Sequence, residues 1–253
     1  MVRDLLVRGM LVGVLAGLLS FGFLKICGEP QVDQAVAFEA AKSDKPGELH
    51  AHGADTHAGA AEPQQVVSRP VQAGIGLLTG VVVYCAAFGG LFALAFSCAH
   101  ARLAGVSAPQ AEAALLAAAA FIAICLVPSI KYPANPPAVG EPETIGMRTA
   151  LYLVMIAVSI AAMALSIGIR GRVLTRLGEW NATLVGAASY IALVAIAALL
   201  LPAIDEVPQN FPATVLWKFR MASIGAQLIM WTTIGLAFGA LTSRAWAAPR
   251  ARP

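Results

Sequence analysis

The chain has 253 residues, of which 58% are hydrophobic and 12% are charged, and its net charge is +3. Soluble domains carry about 25% charged residues, so this composition excludes a cytosolic enzyme, a disordered chain and a coiled coil. The hydrophobic residues come in runs of about 20 and the basic residues are scattered, which indicates a polytopic membrane protein without a nucleic-acid partner.

Six hydrophobic segments are predicted to be membrane helices. They cover residues 7–26, 72–98, 112–130, 149–169, 182–203 and 222–243. We treat the first as an uncleaved span, because no A-x-A site follows it and Lys25 occupies the small-residue position of a lipobox. The predicted fold is therefore an all-α polytopic membrane bundle that forms one domain over residues 1–253.

Glycines recur every fourth residue in the first predicted span, at Gly9, Gly13 and Gly17. Residues four apart lie on one helix face, and glycines there let two backbones approach closely in lipid. Gly76 and Gly80 repeat the spacing in the second span. We interpret the pattern as a contact between helices of one chain rather than between two chains.

Residues 28–71 form one long hydrophilic loop, which contains three of the four histidines. Imidazole suits cobalt, nickel, zinc and copper, and alternate residues of an extended chain share a face. The predicted metal ligands are His50, His52, His57, Asp55 and Glu48. With Gly53 nearby and few apolar neighbours, such a site would be flexible and suited to capture rather than storage. The alternative is an ordinary polar linker.

The remaining five spans, in residues 72–253, include two hairpins with similar loops. Residues 128–137 and residues 202–212 contain the same pattern: Pro-x-Ile, then Pro-x-Asn, then a further proline. Each stretch is followed by an arginine, Arg148 or Arg220, and then by a new span. Either an internal duplication or chance explains the likeness. Proline makes these loops stiff and non-helical, so their carbonyls and asparagines are candidate hard-cation ligands. The simpler interpretation, which we favour, is that the prolines end two helices and hold a turn.

The basic residues favour an orientation with both termini in the cytoplasm. The inner segments then hold nine basic residues and the outer segments eight, but the inner segments are about half as long. Arg170, Arg172 and Arg176 cluster in one short inner loop. Eleven of the fourteen acidic residues and three of the four histidines fall outside, whereas His100 lies at an inner helix end and is interpreted as interfacial.

Enzymatic motifs are missing from the sequence, which contains neither a Walker A sequence nor HExxH. The polar residues predicted within the spans are Gln227, Tyr84, Tyr152 and Thr79, none of which is acidic. A proton-coupled transporter usually has an acidic residue in mid-membrane, so the sequence argues against a pump that acts alone. The missing catalytic motifs argue against an enzyme.

Three stretches resemble one family: residues 28–39, the histidine segment after them, and Lys131-Tyr132-Pro133-Ala134-Asn135-Pro136-Pro137 through to residue 149. They are similar to the CbtA family, predicted cobalt transporter subunits of bacterial membranes, and the likeness spans essentially the whole chain. The resemblance implies a multi-pass inner-membrane protein linked to cobalamin genes and accompanied by CbtB, a small one-span, histidine-bearing partner. That family is usually described with five spans, whereas we count six.

Residues and resemblance together predict a membrane component of a cobalt uptake system. The histidine segment would capture Co²⁺ from the extracytoplasmic side, and Glu29, Asp33 and Glu39 would relay it toward the bundle. No cofactor is expected beyond the bound or transported ion. The alternative is a non-transporting assembly or sensor subunit whose loop binds metal or a partner protein.

Overall fold

The computed structural model describes residues 2–43, 67–103 and 108–247. This part of the chain forms helices and no strand, which confirms the predicted all-α bundle. Five helices in it are long and apolar enough to cross a membrane.

Six helices, α1 to α6, make up the described chain. Helices α1 (Val2–Cys27) and α2 (Glu29–Ser43) are followed by α3, which comprises Arg69–Val71, a π-helical turn at Gln72–Gly76 and Leu77–Leu103. Helix α4 comprises Pro109–Ala120, a π-helical segment at Phe121–Leu126 and Val127–Lys131. A short 3₁₀ turn, Pro142–Thr144, leads into α5 (Ile145–Leu200), and α6 is Ala213–Ala247.

Helix α5 is a hairpin whose turn is Gly178. This residue has φ 74° and ψ 171°, a conformation that is essentially restricted to glycine. Ser159 Oγ lies 2.8 Å from Tyr190 Oη, and Arg170 Nε donates to Thr183 Oγ1 at 3.1 Å. A straight helix would separate the first pair by about 46 Å at 1.5 Å per residue. The two arms are therefore antiparallel and account for the fourth and fifth predicted spans.

The glycines of α1 form its contact with α3. A Cβ atom at Gly13 would lie 2.3 Å from the carbonyl oxygen of Cys85, and one at Gly9 would lie 2.3 Å from that of Gly89. The predicted contact within one chain is thus confirmed. Gly80 takes no part in it, because a Cβ there would meet nothing within 4 Å.

Aromatic side chains fill the core where α1, α3, α4 and α6 meet. Phe92 packs edge-on against Phe238 at a centroid distance of 5.4 Å and against Trp231 at 6.5 Å. Phe96 and Phe238 are fully buried. The α5 hairpin lies outside this core, against the second half of α4.

Helix α2 shows that the predicted loop 28–71 begins as a helix. One face of α2 packs on the bundle, with Ala35 fully buried against a cluster that includes Val139 and Phe211. Phe38 adds an edge-to-face contact with Phe211 at 5.1 Å. The apolar residues that support this packing are widely spaced in a polar segment, which explains why hydropathy alone did not reveal the helix.

The helix pairings give the bundle two chemically different ends. One end, which we call the acidic end, contains the end of α1, helix α2, the start of α3, residues 132–144 and residues 201–212. It carries seven of the ten acidic residues in the described ranges. They are Glu29, Asp33, Glu39, Glu141, Glu143, Asp205 and Glu206.

Candidate functional site

The five predicted metal ligands, His50, His52, His57, Asp55 and Glu48, lie outside the described residues. In the ranges that are described, no three His, Cys, Asp or Glu side chains come together in a way that could hold a metal ion. The predicted capture site therefore stays a prediction. The structure does describe both points at which its segment joins the bundle, the end of α2 and the start of α3.

Arg69, the first residue of α3, binds the first two turns of α2. Its Nη2 lies 2.7 Å from Glu29 Oε2 and 2.8 Å from Asp33 Oδ1, and its Nε donates to the same Asp33 oxygen at 3.1 Å. The Glu29 side chain is 11% exposed and that of Asp33 is 62% exposed. Two of the three acids predicted to relay the ion are thus paired with an arginine, and the third, Glu39, is exposed on α2.

A second arginine binds the first Pro/Asn loop. Arg220, on α6, donates from Nη2 to Asn135 Oδ1 at 2.9 Å and from Nε to the carbonyl oxygen of Ala134 at 3.3 Å. These are the amide and carbonyl oxygens that the sequence suggested as hard-cation ligands. In this structure a guanidinium group already occupies them.

The two Pro/Asn loops lie against each other through Glu206. Its Oε2 accepts hydrogen bonds at 2.9 Å from the backbone N–H of Glu141 and from the Thr144 hydroxyl, and it lies 3.5 Å from Arg148 Nε. The N–H bond above all, then the hydroxyl bond and the arginine, lower the pKa of Glu206. Tyr132 Oη donates to the carbonyl of Pro202 at 2.8 Å. Both loops therefore act as one rigid rim.

Two cavities meet at Gln227, and the second opens outward at Tyr84, which is 44% exposed. The first, of about 120 Å³, lies beneath the rim, and its polar lining is Cys125, Ser129, Tyr152, Arg220, Ser223 and Gln227. The second, of about 280 Å³, lies between α1, α3 and α6, and its polar lining is Ser20, Tyr84, Cys85 and Gln227. Gln227 Nε2 donates to Tyr84 Oη at 3.4 Å, which is a long hydrogen bond.

Sequence reasoning singled out Gln227, Tyr84 and Tyr152 but missed the cysteines beside them. Cys125 is buried, at 5% exposure, on the π-helical segment of α4. The available signal was Pro128 three residues later, because proline removes a helical hydrogen bond and favours such bulges. A cysteine within an apolar run otherwise resembles an ordinary core residue.

The opposite end holds a histidine–carboxyl hydrogen bond that the sequence did not suggest. His100 Nδ1 lies 2.7 Å from Glu112 Oε2, and Glu112 is only 5% exposed. The His100 ring lies 5.6 Å from Phe96 and 4.7 Å from Trp246. His100 thus connects α3, α4 and α6, which is a more specific role than the interfacial one expected.

A model of one protein family, described as a probable cobalt transporter subunit (CbtA), matches residues 2–243. The match begins in α1 and ends in α6, so it includes the acidic end and both cavities. Comparison with curated proteins and with solved structures gave no match.

Proposed function

Because the chain belongs to the CbtA family of probable cobalt transporter subunits, we propose that it captures Co²⁺ outside the bacterial inner membrane and passes it into the helix bundle. One observation carries this proposal. The histidine-bearing chain leaves the end of α2, where Phe38 packs on Phe211, and re-enters at Arg69, which binds the acids at the start of α2. Both attachment points are therefore at the acidic end, where captured metal would be released.

The chemistry of this end suits the first step of uptake. Acidic side chains raise the local concentration of cations, and imidazoles then select a transition metal over magnesium or calcium. In the proposed ligand set, His50, His52 and His57 bind the ion with help from Asp55 and Glu48. The acidic end faces the periplasm, and both termini lie in the cytoplasm.

Transfer to the bundle requires an exchange of cations at α2. Glu29 and Asp33 bind the metal together only when Arg69 moves aside, because its guanidinium binds one oxygen of each carboxylate. An arriving dication competes for this pair more strongly than a monovalent ion does. Arg69 therefore makes the relay selective for multivalent cations, and Glu39 extends the acidic surface along α2.

Replacement of the three histidines tests the capture step. In H50Q/H52Q/H57Q cells we expect cobalt accumulation at limiting metal to fall about tenfold, equivalent to ~1.4 kcal/mol of binding free energy. Accumulation at saturating metal should change little, since capture is then not limiting. The matched control is Q64A/Q65A in the same segment. Unchanged accumulation in the histidine variant would refute capture by this segment.

The alternative is an assembly or sensor subunit that does not transport. It is favoured by the absence of acidic residues from the described bundle interior between its two ends. Liposomes that contain the purified chain, with and without a small one-span, histidine-bearing subunit of the CbtB type, distinguish the two functions. Cobalt uptake that needs both chains supports a transport subunit with a partner, whereas no uptake in either case supports the alternative.

A further inference from the structure

We infer that the two cavities that meet at Gln227 form the transit site of the cation, and that Arg220 closes this site toward the acidic end. The inference rests on the proposed function and assigns residues to the passage through the bundle. It involves groups separate from the histidine segment and from the acids of α2.

The polar lining distinguishes these cavities from a larger, apolar cavity. That cavity, of about 350 Å³ between α4 and α6, is lined by Ala, Leu, Ile and aromatic residues with Thr232 as its one hydroxyl. The cavities at Gln227 instead bring together thiol, hydroxyl and amide groups from α1, α3, α4, α5 and α6. The first cavity, of about 120 Å³, is large enough to hold water.

The donors in these cavities are suited to passage rather than storage. Co²⁺ accepts sulfur, nitrogen and oxygen ligands, and Cys125 and Cys85 offer sulfur on either side of Gln227. The thiols, hydroxyls and amide are neutral, so each binds the ion weakly. Conduction needs sites that an ion enters and leaves readily, which a set of weak donors provides.

The backbone of α4 supports the same assignment. Cys125 lies on the π-helical segment Phe121–Leu126, and the fully buried Pro128 follows it. Irregular backbone at membrane depth is tolerated where it is buried in protein or lines a cavity. π-helical turns within α-helices occur frequently at functional sites. Cys125 lines the first cavity from this irregular segment.

Arg220 controls access to the first cavity by its charge and position. It lines the cavity on the side of the rim, where Asn135 and Ala134 hold its guanidinium. A dication that approaches along this path is repelled until the guanidinium moves aside. Past the second cavity, the rings of Phe92, Trp231 and Phe238 close the core toward the opposite end.

The native cysteines provide the test. In C27S/C98S protein reconstituted in liposomes, Cys125 is probed with a small cationic methanethiosulfonate reagent and quantified by mass spectrometry. We expect modification of Cys125 that excess Co²⁺ slows, and a rate about tenfold higher in R220Q. The matched control is K218Q, an exposed cation two residues earlier on α6. A rate in R220Q equal to that in K218Q, or no protection by Co²⁺, would overturn the inference.

A transport measurement separates this inference from the proposed function. Q227L should lower cobalt accumulation at limiting metal severalfold, whereas T232L, in the apolar cavity on the same helix, should not. Detergent-solubilised Q227L should unfold at the same temperature as the parent chain, which excludes misfolding. If the triple histidine variant loses accumulation and Q227L does not, the transit site is wrong and capture stands. If Q227L loses it and the histidine variant does not, capture is wrong and the transit site stands.

Discussion

At the scale of single residues, arginine contacts dominate the acidic end, and their strength depends on burial. Arg69 binds Glu29, whose side chain is 11% exposed, and Asp33, whose side chain is 62% exposed. A hydrogen bond between charged groups contributes about 1.5–3 kcal/mol when it is shielded, and an exposed ion pair contributes at most about 1 kcal/mol. The two acids should therefore contribute unequally to holding α2.

We predict that E29Q weakens the attachment of α2 by about 1.5–3 kcal/mol and that D33N weakens it by less than about 1 kcal/mol. Hydrogen exchange of the α2 backbone amides measures both effects, since these amides exchange faster when α2 detaches. R69Q should match or exceed E29Q, because it removes both contacts. Equal exchange rates in E29Q and D33N would contradict the assigned difference in burial.

The rim should respond to acid through Glu206. Its hydrogen bonds favour the carboxylate form and lower its pKa below the ordinary value of 4.5. The stabilisation is therefore fully present above pH 4.5 and is lost as the pH falls through the lowered pKa of the folded protein. We predict that the unfolding temperature in detergent falls less over this acid range in E206Q than in the parent chain. E143Q, an exposed acid on the 3₁₀ turn of the facing loop, is the control and should behave as the parent chain does.

These contacts also show the limit of sequence reasoning at this scale. The sequence predicted an acidic face correctly from the positions of its charges. It could not predict that Arg69 binds acids 36 and 40 residues earlier, or that Arg220 occupies the Asn135 oxygen 85 residues away. Such pairs depend on how the helices meet, which local composition does not determine. The acids and carbonyls consequently appeared available to a cation when they are in fact paired.

At the scale of helices, the approach of α1 to α3 depends on the absence of side chains. A Cβ at Gly13 would lie 2.3 Å from a backbone carbonyl oxygen of α3, whereas one at Gly22 would meet nothing within 4 Å. We predict that G13A destabilises the protein by about 1–3 kcal/mol because two backbones must separate. G22A, on the same helix, should have no measurable cost. Thermal unfolding in detergent compares them, and equal midpoints would argue against the contact.

The turn of α5 makes a similar prediction for a different reason. Gly178 has φ 74°, and a side chain there strains the backbone even though a Cβ would meet nothing within 4 Å. We predict that G178A costs about 1–3 kcal/mol and loosens the hairpin. G168A and G171A also add a methyl group in open space, but at ordinary helical φ, so they should be neutral. A neutral G178A would show that the turn takes another conformation.

Hydropathy predicted the helices well and their irregularities poorly. It located every membrane-length segment, including the two arms of α5, because about 20 apolar residues leave few alternatives. It missed α2, whose packing depends on a few residues such as Ala35 and Phe38. It also missed the π-helical segment Phe121–Leu126, since such a bulge follows from the balance of hydrogen bonds and packing around Pro128.

At the scale of the whole molecule, the bundle combines an acidic end, two neutral polar cavities and an aromatic core beyond them. Arginines bind the acids and the rim, and neutral donors line the interior. This order suits a cation that is first attracted, then exchanged against a guanidinium, and finally passed between weak ligands. It agrees with uptake only if the acidic end faces outward, which makes orientation the decisive property of the molecule.

Orientation can be measured with one cysteine at each end. Cys27, at the end of α1, is exposed at the acidic end, and Arg176 is exposed beside the α5 turn at the opposite end. In C85S/C98S/C125S cells, we predict that a membrane-impermeant maleimide added to spheroplasts labels Cys27 without permeabilisation. When C27S and R176C are added to this variant, the maleimide should label the cysteine at position 176 only after permeabilisation. The reason is that the basic cluster beside this turn is retained in the cytoplasm. The reverse pattern would place the acidic end inside the cell, where it would collect cations for export.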